Sequence, residues 1–298
     1  MNEVSKLLAK SILVFLVVLT SMLTGCWSEK SEPEPEPGQS LGIVSIPNLR
    51  DMGGYKTADG ATIARGLVYR SNQLFDIGAE DMLLFEALNL KNDFDLRTAT
   101  ERNANPDELP EGVNNVWLDV LADVPADGPA NLNVLLSDPQ RANTELGDGK
   151  VEEIFKTAYR HCISLPSAQK AYRELFLVLG DKNQLPALFH CATGKDRTGW
   201  AAAAFLTLLG VPMEAVKQDY LRSNEYILPM YDTVIQQFIA AGGSPSIPTA
   251  ILGVKEEYLD AAFEEMHTKY GSIENYFSEG LGISVDQQNA MRELYLKN

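Results

Sequence analysis

The chain has 298 residues, with 25 basic and 41 acidic side chains, and its formal net charge is −16. This excess of acidic groups excludes a general role in binding nucleic acid and disfavours adsorption to anionic bilayers. Hydrophobic residues make up 45% of the sequence, which is enough for a sizeable core. Three cysteines do not form a disulfide framework, so packing must hold the fold together.

The first 25 residues have the organisation of a secretion signal. Lys6 and Lys10 precede an uncharged, largely apolar run, Ser11–Leu23, which is too short to span a bilayer comfortably. The sequence Leu-Thr-Gly then leads into Cys26, a pattern that resembles the bacterial lipobox. The resemblance implies cleavage before Cys26 and diacylation of this cysteine, with ordinary secretion or an uncleaved anchor as alternatives. We therefore expect a protein of the bacterial cell envelope, anchored by lipid and facing outside the cytoplasm.

Residues 26–40 are predicted to form the lipid anchor and a tether, because Ser28–Ser40 is rich in glutamate and proline and has nothing apolar to bury. The predicted catalytic domain is 41–298. Loss of residues 1–25 removes two lysines and one glutamate, leaving 23 basic and 40 acidic residues and a net charge of −17. An anion site in this chain must therefore supply its own local positive charge.

The segment after Ile46 begins with turn-forming residues. Asn48–Gly54 contains paired glycines and predicts a loop, in which Arg50 and Asp51 either pair structurally or support a site. Tyr55–Tyr69 predicts a hairpin around a glycine turn.

Helical and extended patterns follow. Asp76–Leu90 has apolar residues at helical spacing, with Asp76 as the predicted cap. Asp93–Leu96 predicts a central strand ending in Arg97, and Val113–Val120 predicts a further strand.

Residues 121–150 are rich in Asp, Pro, Gly and Asn, and so long a loop is either functional or mobile. We interpret it as a candidate lid, with a plain surface insertion as the alternative. Val151–Leu165 and Ala168–Leu179 are predicted to be amphipathic helices.

The most informative stretch is Leu185–Gly199. A short apolar run predicts a buried strand, a loop of small residues follows, and an alanine-rich helix begins near Thr198. Such a strand–loop–helix turn forms an anion cradle, because backbone N–H groups and the helix dipole converge on it. Cys191 in this cradle favours the thiolate, which is the nucleophilic form. Arg197 can hold two phosphate oxygens, and Gly194 lets the backbone curl around an oxyanion.

The pattern therefore indicates a cysteine-dependent phosphatase. The chain contains a comparison, since His161-Cys162 repeats the His-Cys pair but has Ala168 where an arginine would be needed. We expect Cys162 to be a small buried hydrophobic residue, with a Cys162–Cys191 redox bridge as the less favoured reading. His267 has no partners at metal-ligand spacing, and the sequence suggests neither a metal nor a cofactor.

Beyond the loop the sequence predicts only helices. They are expected at Met213–Asn224, Ile227–Ala241, Lys255–Tyr270 and Ser272–Ser278, followed by a final helix opened by a Ser284–Gln287 capping box. Four aromatic residues here are assigned to the core: Tyr258, Phe263, Tyr276 and Phe277.

The string His190-Cys191-x-x-Gly194-Lys195-Asp196-Arg197-Thr198-Gly199 resembles the signature loop of the protein-tyrosine-phosphatase superfamily. The Gly-Lys-Asp-Arg-Thr-Gly variant is similar to bacterial tyrosine and dual-specificity phosphatases, which include secreted enzymes of intracellular pathogens. Four further segments are typical of that family: Asn48–Gly54, Tyr69–Ser71, Asp95–Thr98 and Asp219–Asn224.

This resemblance implies roles for individual residues. Cys191 would attack phosphorus, Arg197 would bind the phosphoryl oxygens, and Asp196 would protonate the leaving group. The remaining residues of the loop would bind the substrate: Ala192, Thr193, Gly194, Lys195 and Thr198. The residues predicted to support the site are His190, Asp95, Arg50 and Asp51.

The general acid has more than one candidate. Dual-specificity phosphatases usually take it from a loop after a strand, which favours Asp119 or Asp123, and Asp95 lies near another strand end. The Gly-Lys-Asp-Arg-Thr variant favours Asp196, whose alternative role is to orient Arg197 or the lid.

We therefore predict an α/β fold of the dual-specificity-phosphatase type, with a small, mostly parallel twisted sheet flanked by helices. Its predicted reaction is hydrolysis of phosphotyrosine in proteins through a cysteinyl-phosphate, with dual specificity as an extension. A phosphoinositide or inositol phosphate substrate is the alternative, because Lys195 could meet a second phosphate rather than face solvent. A sulfurtransferase and a non-catalytic lipoprotein that binds phosphopeptides are less favoured, since Cys191 and Arg197 are both intact.

Overall fold

A five-stranded sheet lies at the centre of the computed structural model, which describes residues 35–124 and 135–297. Across the sheet the strands are β1 (Arg50–Asp51), β3 (Val68–Ser71), β6 (Ala187–His190), β4 (Asn92–Asp95) and β5 (Asn114–Trp117). Strands β3, β6, β4 and β5 are parallel, and β1 is antiparallel to β3. The carboxyl ends of parallel strands meet at one edge, where His190 is in register with both Ser71 and Asp95.

A second, two-stranded sheet joins the two ends of the domain. It pairs β2 (Thr62–Ile63) with β7 (Leu296–Lys297) in antiparallel orientation. The compact unit begins at Glu36, five residues before the predicted domain boundary at 41.

Helices account for most of the remaining described residues. In chain order they are α1 (Ala79–Glu86), α2 (Ala99–Ala104), α3 (Pro139–Leu146), α4 (Lys150–Ser164), α5 (Pro166–Leu179), α6 (Arg197–Leu208), α7 (Met213–Leu221), α8 (Ser223–Ile227), α9 (Asp232–Ala240), α10 (Ser246–Leu252), α11 (Glu256–Tyr270), α12 (Ile273–Asn275) and α13 (Val285–Tyr295). Short 3-10 turns occur at Lys182–Gln184 and Leu228–Tyr231, and a π turn at Tyr276–Gly280. Among the described residues, no helix combines the length and apolarity needed to cross a bilayer.

The sheet has a hydrophobic core on each face. Successive residues of β6 alternate between them, since Phe189 belongs to the larger core and Leu188 to the smaller one. Helix α6 packs in the larger core with Trp200 and a run of buried alanines, whose small side chains allow close approach to neighbouring elements. The aromatic rings of Phe155 on α4 and Tyr258 on α11 stack there with centroids 5.1 Å apart.

These features confirm the predicted mixed α/β fold with a mostly parallel sheet. The helices predicted before and after the signature loop are present, and the Ser284–Gln287 capping box forms. The four aromatic residues assigned to the core are buried. Within the candidate lid, residues 125–134 lie outside the described part of the chain, and α3 occupies much of the remainder.

Several local predictions were wrong. The predicted hairpin forms around the Gly60 turn, where Tyr55 pairs with Ile63 and Lys56 with Thr62, but it is shorter than predicted. Its predicted second arm does not continue to Tyr69, because Val68–Ser71 enters the main sheet. Part of the predicted Asn48–Gly54 loop is strand β1. Asp76 does not cap α1; it has a φ of 56°, and Gly78 is the N-cap.

Three other elements also differ from the prediction. The strand predicted for Val113–Val120 covers only Asn114–Trp117. The helix predicted from Ile227 is interrupted by the 3-10 turn that contains Pro229, whose ring cannot donate a helical hydrogen bond. Helix α10 follows directly on a Gly-Gly-Ser-Pro stretch, in a part of the chain where no helix was predicted.

Candidate active site

Cys191–Asp196 forms the loop between the end of β6 and the start of α6. Gly194 in this loop has a φ of +69°, and a Cβ placed there would lie 2.2 Å from the carbonyl oxygen of Ser71. Since no other residue fits both conditions, glycine is required at this close approach to β3.

The loop carbonyl groups are turned towards the protein. The Ala192 carbonyl accepts a hydrogen bond from the Gln73 N–H at 3.1 Å, the Thr193 carbonyl accepts one from Asn48 at 3.0 Å, and the Gly194 carbonyl accepts one from Arg70 at 2.8 Å. Among the described residues, none accepts a hydrogen bond from the backbone N–H groups of 192–196. These N–H groups are therefore available to an anion.

Cys191 is almost fully buried in the cradle. Burial opposes ionisation of the thiol, but the positive charge of Arg197 and the nearby polar groups of Thr198 hold its pKa below the ordinary value. The side chain is therefore set up as a thiolate nucleophile.

Arg197 is held by a residue that the sequence interpretation missed. Its two terminal nitrogens each donate to one carboxylate oxygen of Glu101, both at 2.7 Å. Burial opposes the charge on Glu101, but Arg197 and the hydrogen bonds from Thr98 lower its pKa to about 2. Thr98 and Glu101 also form a capping box on α2, and Thr-x-x-Glu is a pattern that could have drawn attention to this carboxylate.

Asp196 is partly buried and accepts hydrogen bonds from two neighbours. The Tyr159 hydroxyl donates to it at 2.9 Å, and the Lys195 ammonium lies 3.0 Å away. The Tyr220 hydroxyl donates in turn to Tyr159 at 2.7 Å. Lys195 does not face solvent: it is buried, and its ammonium lies 4.8 Å from the centre of the Phe155 ring.

A cavity of about 130 Å³ opens above the loop. Ala192, Thr193 and Lys195–Arg197 line it from the loop, together with Glu101. Its apolar walls come from several helices and from the segment after β5: Leu121, Val124, Phe155, Ala158, Tyr159, Tyr231, Ile251 and Leu252. Leu121 and Val124 belong to the segment that we interpret as a candidate lid. The role of this segment as a lid stays a prediction.

The other three candidate acids have partners of their own among the described residues. Asp119 accepts the N–H of Leu121 and lines a neighbouring groove, where burial raises its pKa. Asp123 accepts the N–H of Ser167 at 2.7 Å. Asp95 is fully buried against the guanidinium of Arg97 at 2.8 Å. Of the four candidates, only Asp196 lines the cavity.

His190 lies beneath the loop in a buried cluster of charged groups. Its Nε2 is 3.5 Å from Asp93 and 3.4 Å from Asp107. Burial opposes protonation of the imidazole, but these carboxylates raise its pKa well above the ordinary value. Asp93, Asp107 and His190 could in principle converge on a metal ion. Arg97, 2.7 Å from Asp107, and a protonated His190 already neutralise these carboxylates, so the donor set does not favour a metal.

A second buried cluster of charged groups contacts the loop at Gly194. Asp219 on α7 pairs with Arg50 at 2.8 Å and with Arg70 at 2.6 Å, and Arg70 is the residue that holds Gly194. Arg50 therefore supports the site through Asp219. Asp51 instead accepts the N–H groups of Gly53 and Gly66, so its contacts are within its own loop region.

The second His-Cys pair lies on α4. Cys162 lines the cavity but is buried, and burial raises the pKa of its thiol to about 12 despite the opposing hydrogen bond with Tyr172. The two His-Cys pairs therefore show pKa shifts of opposite direction, because only Cys191 lies in the loop at the start of α6. Both cysteines are free thiols.

A buried cysteine with a lowered pKa, an adjacent arginine and a cradle of unpaired N–H groups at the end of a central strand define a cysteine-dependent phosphatase. Residues 41–297 match the sequence profile of the tyrosine phosphatase family. The chain belongs to this family, and it is a protein-tyrosine phosphatase.

Individual relatives agree with this assignment. The chain is 30% identical over 252 residues to a Cupriavidus necator protein named as a tyrosine-protein phosphatase, covering 83% of this chain and 86% of the relative. It is 29% identical over 273 residues to the triple specificity protein phosphatase PtpB of Mycobacterium tuberculosis, covering 84% and 96%. A tyrosine-protein phosphatase of Nostoc commune is 28% identical over 206 residues, covering 67% and 64%. Sulfur transfer and non-catalytic phosphopeptide binding gain no support from these relatives.

Proposed function

We propose that the enzyme hydrolyses phosphotyrosine in two steps at Cys191. In the first step the thiolate attacks phosphorus and the bond from phosphorus to the tyrosyl oxygen breaks. Arg197 and the loop N–H groups hold the non-bridging oxygens, and Asp196 gives its proton to the departing oxygen. In the second step water attacks phosphorus and gives a proton to the Asp196 carboxylate, the sulfur–phosphorus bond breaks to restore the Cys191 thiolate, and inorganic phosphate leaves.

One observation carries this proposal: the cradle is the floor of a cavity with apolar walls. Phe155, Ile251 and Leu252 would contact an aromatic ring whose phosphate lies on the loop. Their aliphatic and aromatic surfaces suit a tyrosyl ring better than the short polar chain of phosphoserine. We therefore expect phosphotyrosine to be the preferred protein substrate, with dual specificity as a weaker activity.

The position of Asp196 supports its assignment as the acid. Its carboxyl group lines the cavity, whereas the other three candidate acids do not. The Tyr159 hydroxyl at 2.9 Å and the Lys195 ammonium at 3.0 Å hold this carboxyl group in place beside the loop.

Asp196→Asn tests this role. Expulsion of a tyrosyl oxyanion, whose conjugate acid has a pKa of about 10, needs a proton. Turnover of a phosphotyrosine peptide should fall on the order of 10²-fold or more, whereas an aryl phosphate with a good leaving group should be affected much less. The alkaline limb of the pH–rate profile should also disappear. Equal losses on both substrates with the limb intact would make Asp196 a structural residue; Asp123→Asn is the matched control.

A phosphoinositide is the second candidate substrate, and the buried position of Lys195 in the cavity favours it. An ammonium there could meet a second phosphate on the same ligand. Lys195→Met should then reduce hydrolysis of a doubly phosphorylated inositol lipid more than hydrolysis of a phosphotyrosine peptide. Equal reduction of both activities would remove this candidate.

We also propose that the mature protein is a lipoprotein of the cell envelope, anchored through acyl chains on Cys26. The support is the order of a basic segment, a short apolar run and Leu-Thr-Gly-Cys at the start of the sequence. Dual acylation would hold the protein stably at a membrane.

A further inference from the structure

Large exposed apolar side chains are concentrated in one part of the described chain. Ten are exposed, and five of them fall between residues 41 and 84: Leu41, Val44, Phe75, Leu83 and Leu84. Val44, Leu83 and Leu84 are the most exposed of these, at 83%, 67% and 54%. Apolar side chains exposed together, rather than singly, mark a surface that contacts something.

Hydrogen bonds hold the segment that carries Val44 against the helix that carries the two leucines. The N–H and hydroxyl of Ser45 both donate to Asp81 on α1, at 2.7 and 2.6 Å. Leu84 lies one helical turn beyond Asp81 on the same face, and Leu83 precedes it in sequence. We call Val44, Leu83 and Leu84 the apolar patch.

The residues next to the patch are packed in the core. The side chains on either side of it in sequence, Ile43, Ile46 and Phe85, are buried in the smaller core of the sheet. The patch therefore presents its apolar surface without needing a change of fold.

The start of the described chain indicates what covers the patch. Cys26 is separated from Glu36 by nine residues, and a fully extended chain of this length spans at most about 35 Å. The chain then joins the domain close to the patch in sequence: Ser40 pairs with Arg50, and Val44 lies eight residues beyond Glu36. Lipid on Cys26 would therefore keep this part of the surface near a bilayer.

We propose that the apolar patch inserts into the bilayer surface to which Cys26 is anchored. This inference rests on the proposed lipidation. Three side chains alone bind a bilayer weakly, but the anchor makes the second contact intramolecular and so raises its effective concentration. The patch then sets the orientation of the catalytic domain on the membrane.

Charges around the patch define the kind of surface that it fits. Glu80, Asp81 and Glu86 lie on the same helix, and Asp76 precedes it. These groups repel anionic lipids, so insertion should be favoured by zwitterionic lipids and weakened when anionic lipid is added.

The test uses the full-length lipidated protein in phosphatidylcholine vesicles whose acyl chains carry bromine, a quencher of tryptophan that enters the bilayer. Val44→Trp adds a reporter in the patch. Val285→Trp, at a position 61% exposed at the start of α13, is the matched control. The emission added at 44 should be quenched about twofold or more, and the emission added at 285 should be unchanged. Adding Leu83→Gln and Leu84→Gln to Val44→Trp should relieve the quenching.

The possible outcomes distinguish failure of this inference from failure of the proposed lipid anchor. If mass spectrometry and flotation show acylated, vesicle-bound protein but brominated lipid quenches neither added tryptophan, the patch does not insert and only this inference fails. If Cys26 carries no acyl groups and the protein does not float, the anchor fails and the inference fails with it. If the reporter at 44 is shielded without vesicles in a concentration-dependent dimer, the patch binds a second copy and the inference is overturned.

Discussion

Removal of the negative charge on Glu101 should weaken both the fold and the site. In Glu101→Gln, the guanidinium of Arg197 loses a bidentate carboxylate partner whose two hydrogen bonds are both 2.7 Å long. The pKa of Glu101 is lowered from 4.5 to about 2, and this shift corresponds to about 3 kcal/mol of stability at neutral pH. We expect the free energy of unfolding to fall by about that amount, measured with urea at pH 7.

The pH dependence of this loss has a definite sign. A carboxylate whose pKa is lowered by folding stabilises the protein above its unfolded pKa of 4.5, and this contribution is lost as the pH falls towards 2. The difference between wild type and Glu101→Gln should therefore shrink to roughly half by pH 3. A difference that is constant from pH 7 to pH 3 would contradict the assignment.

The same substitution should change catalysis in two ways. Arg197 would no longer be held in its binding geometry, so kcat/KM should fall about 10- to 100-fold. Its charge would also lose a counter-ion, so the pKa of Cys191 should fall further and the acidic limb of the pH–rate profile should move to lower pH. Glu145→Gln is the matched control, because its pair with Arg141 is of similar length, 2.8 Å, but exposed, and a much smaller loss is expected there. Indistinguishable results for the two variants would refute the reasoning.

Three further substitutions test other parts of the account. Gly194→Ala should reduce activity by on the order of 10²-fold, because its Cβ would strike the Ser71 carbonyl and distort the cradle; wild-type phosphate affinity in this variant would contradict that. Cys162→Ser should leave kcat nearly unchanged, as the raised pKa keeps this thiol protonated, and a loss comparable to that of Cys191→Ser would show that both sulfurs take part. Cys26→Ala should release the protein from the membrane fraction or block its processing, and unchanged mass and detergent partition would rule out lipidation.

The sequence was most informative where the chemistry is local. The strand, loop and helix around Cys191 are contiguous, so composition and spacing were sufficient to predict the cradle, Gly194 and Arg197. The same holds for the Ser284–Gln287 capping box, whose two partners are three residues apart.

Features that depend on distant residues were not accessible in this way. Glu101 is 96 residues from Arg197, and Asp219 is 149 residues from Arg70, so nothing in local spacing links them. The short hairpin around Gly60 was predictable because its partners are close in sequence, whereas the pairing of its second arm, β2, with the carboxyl-terminal strand β7 was not. Local glycine and proline signals could not reveal a pairing that spans the whole domain.

The central claim is that Cys191 is the nucleophile, and trapping of the covalent intermediate tests it most directly. The wild-type enzyme is mixed with an aryl phosphate, quenched within the first turnovers in denaturant at alkaline pH, where the sulfur–phosphorus bond survives, digested and examined by mass spectrometry. We expect a phosphoryl group on the peptide that contains Cys191, and none on the peptide that contains Cys162. A phosphoryl group on another residue, or intact turnover by Cys191→Ser, would contradict it.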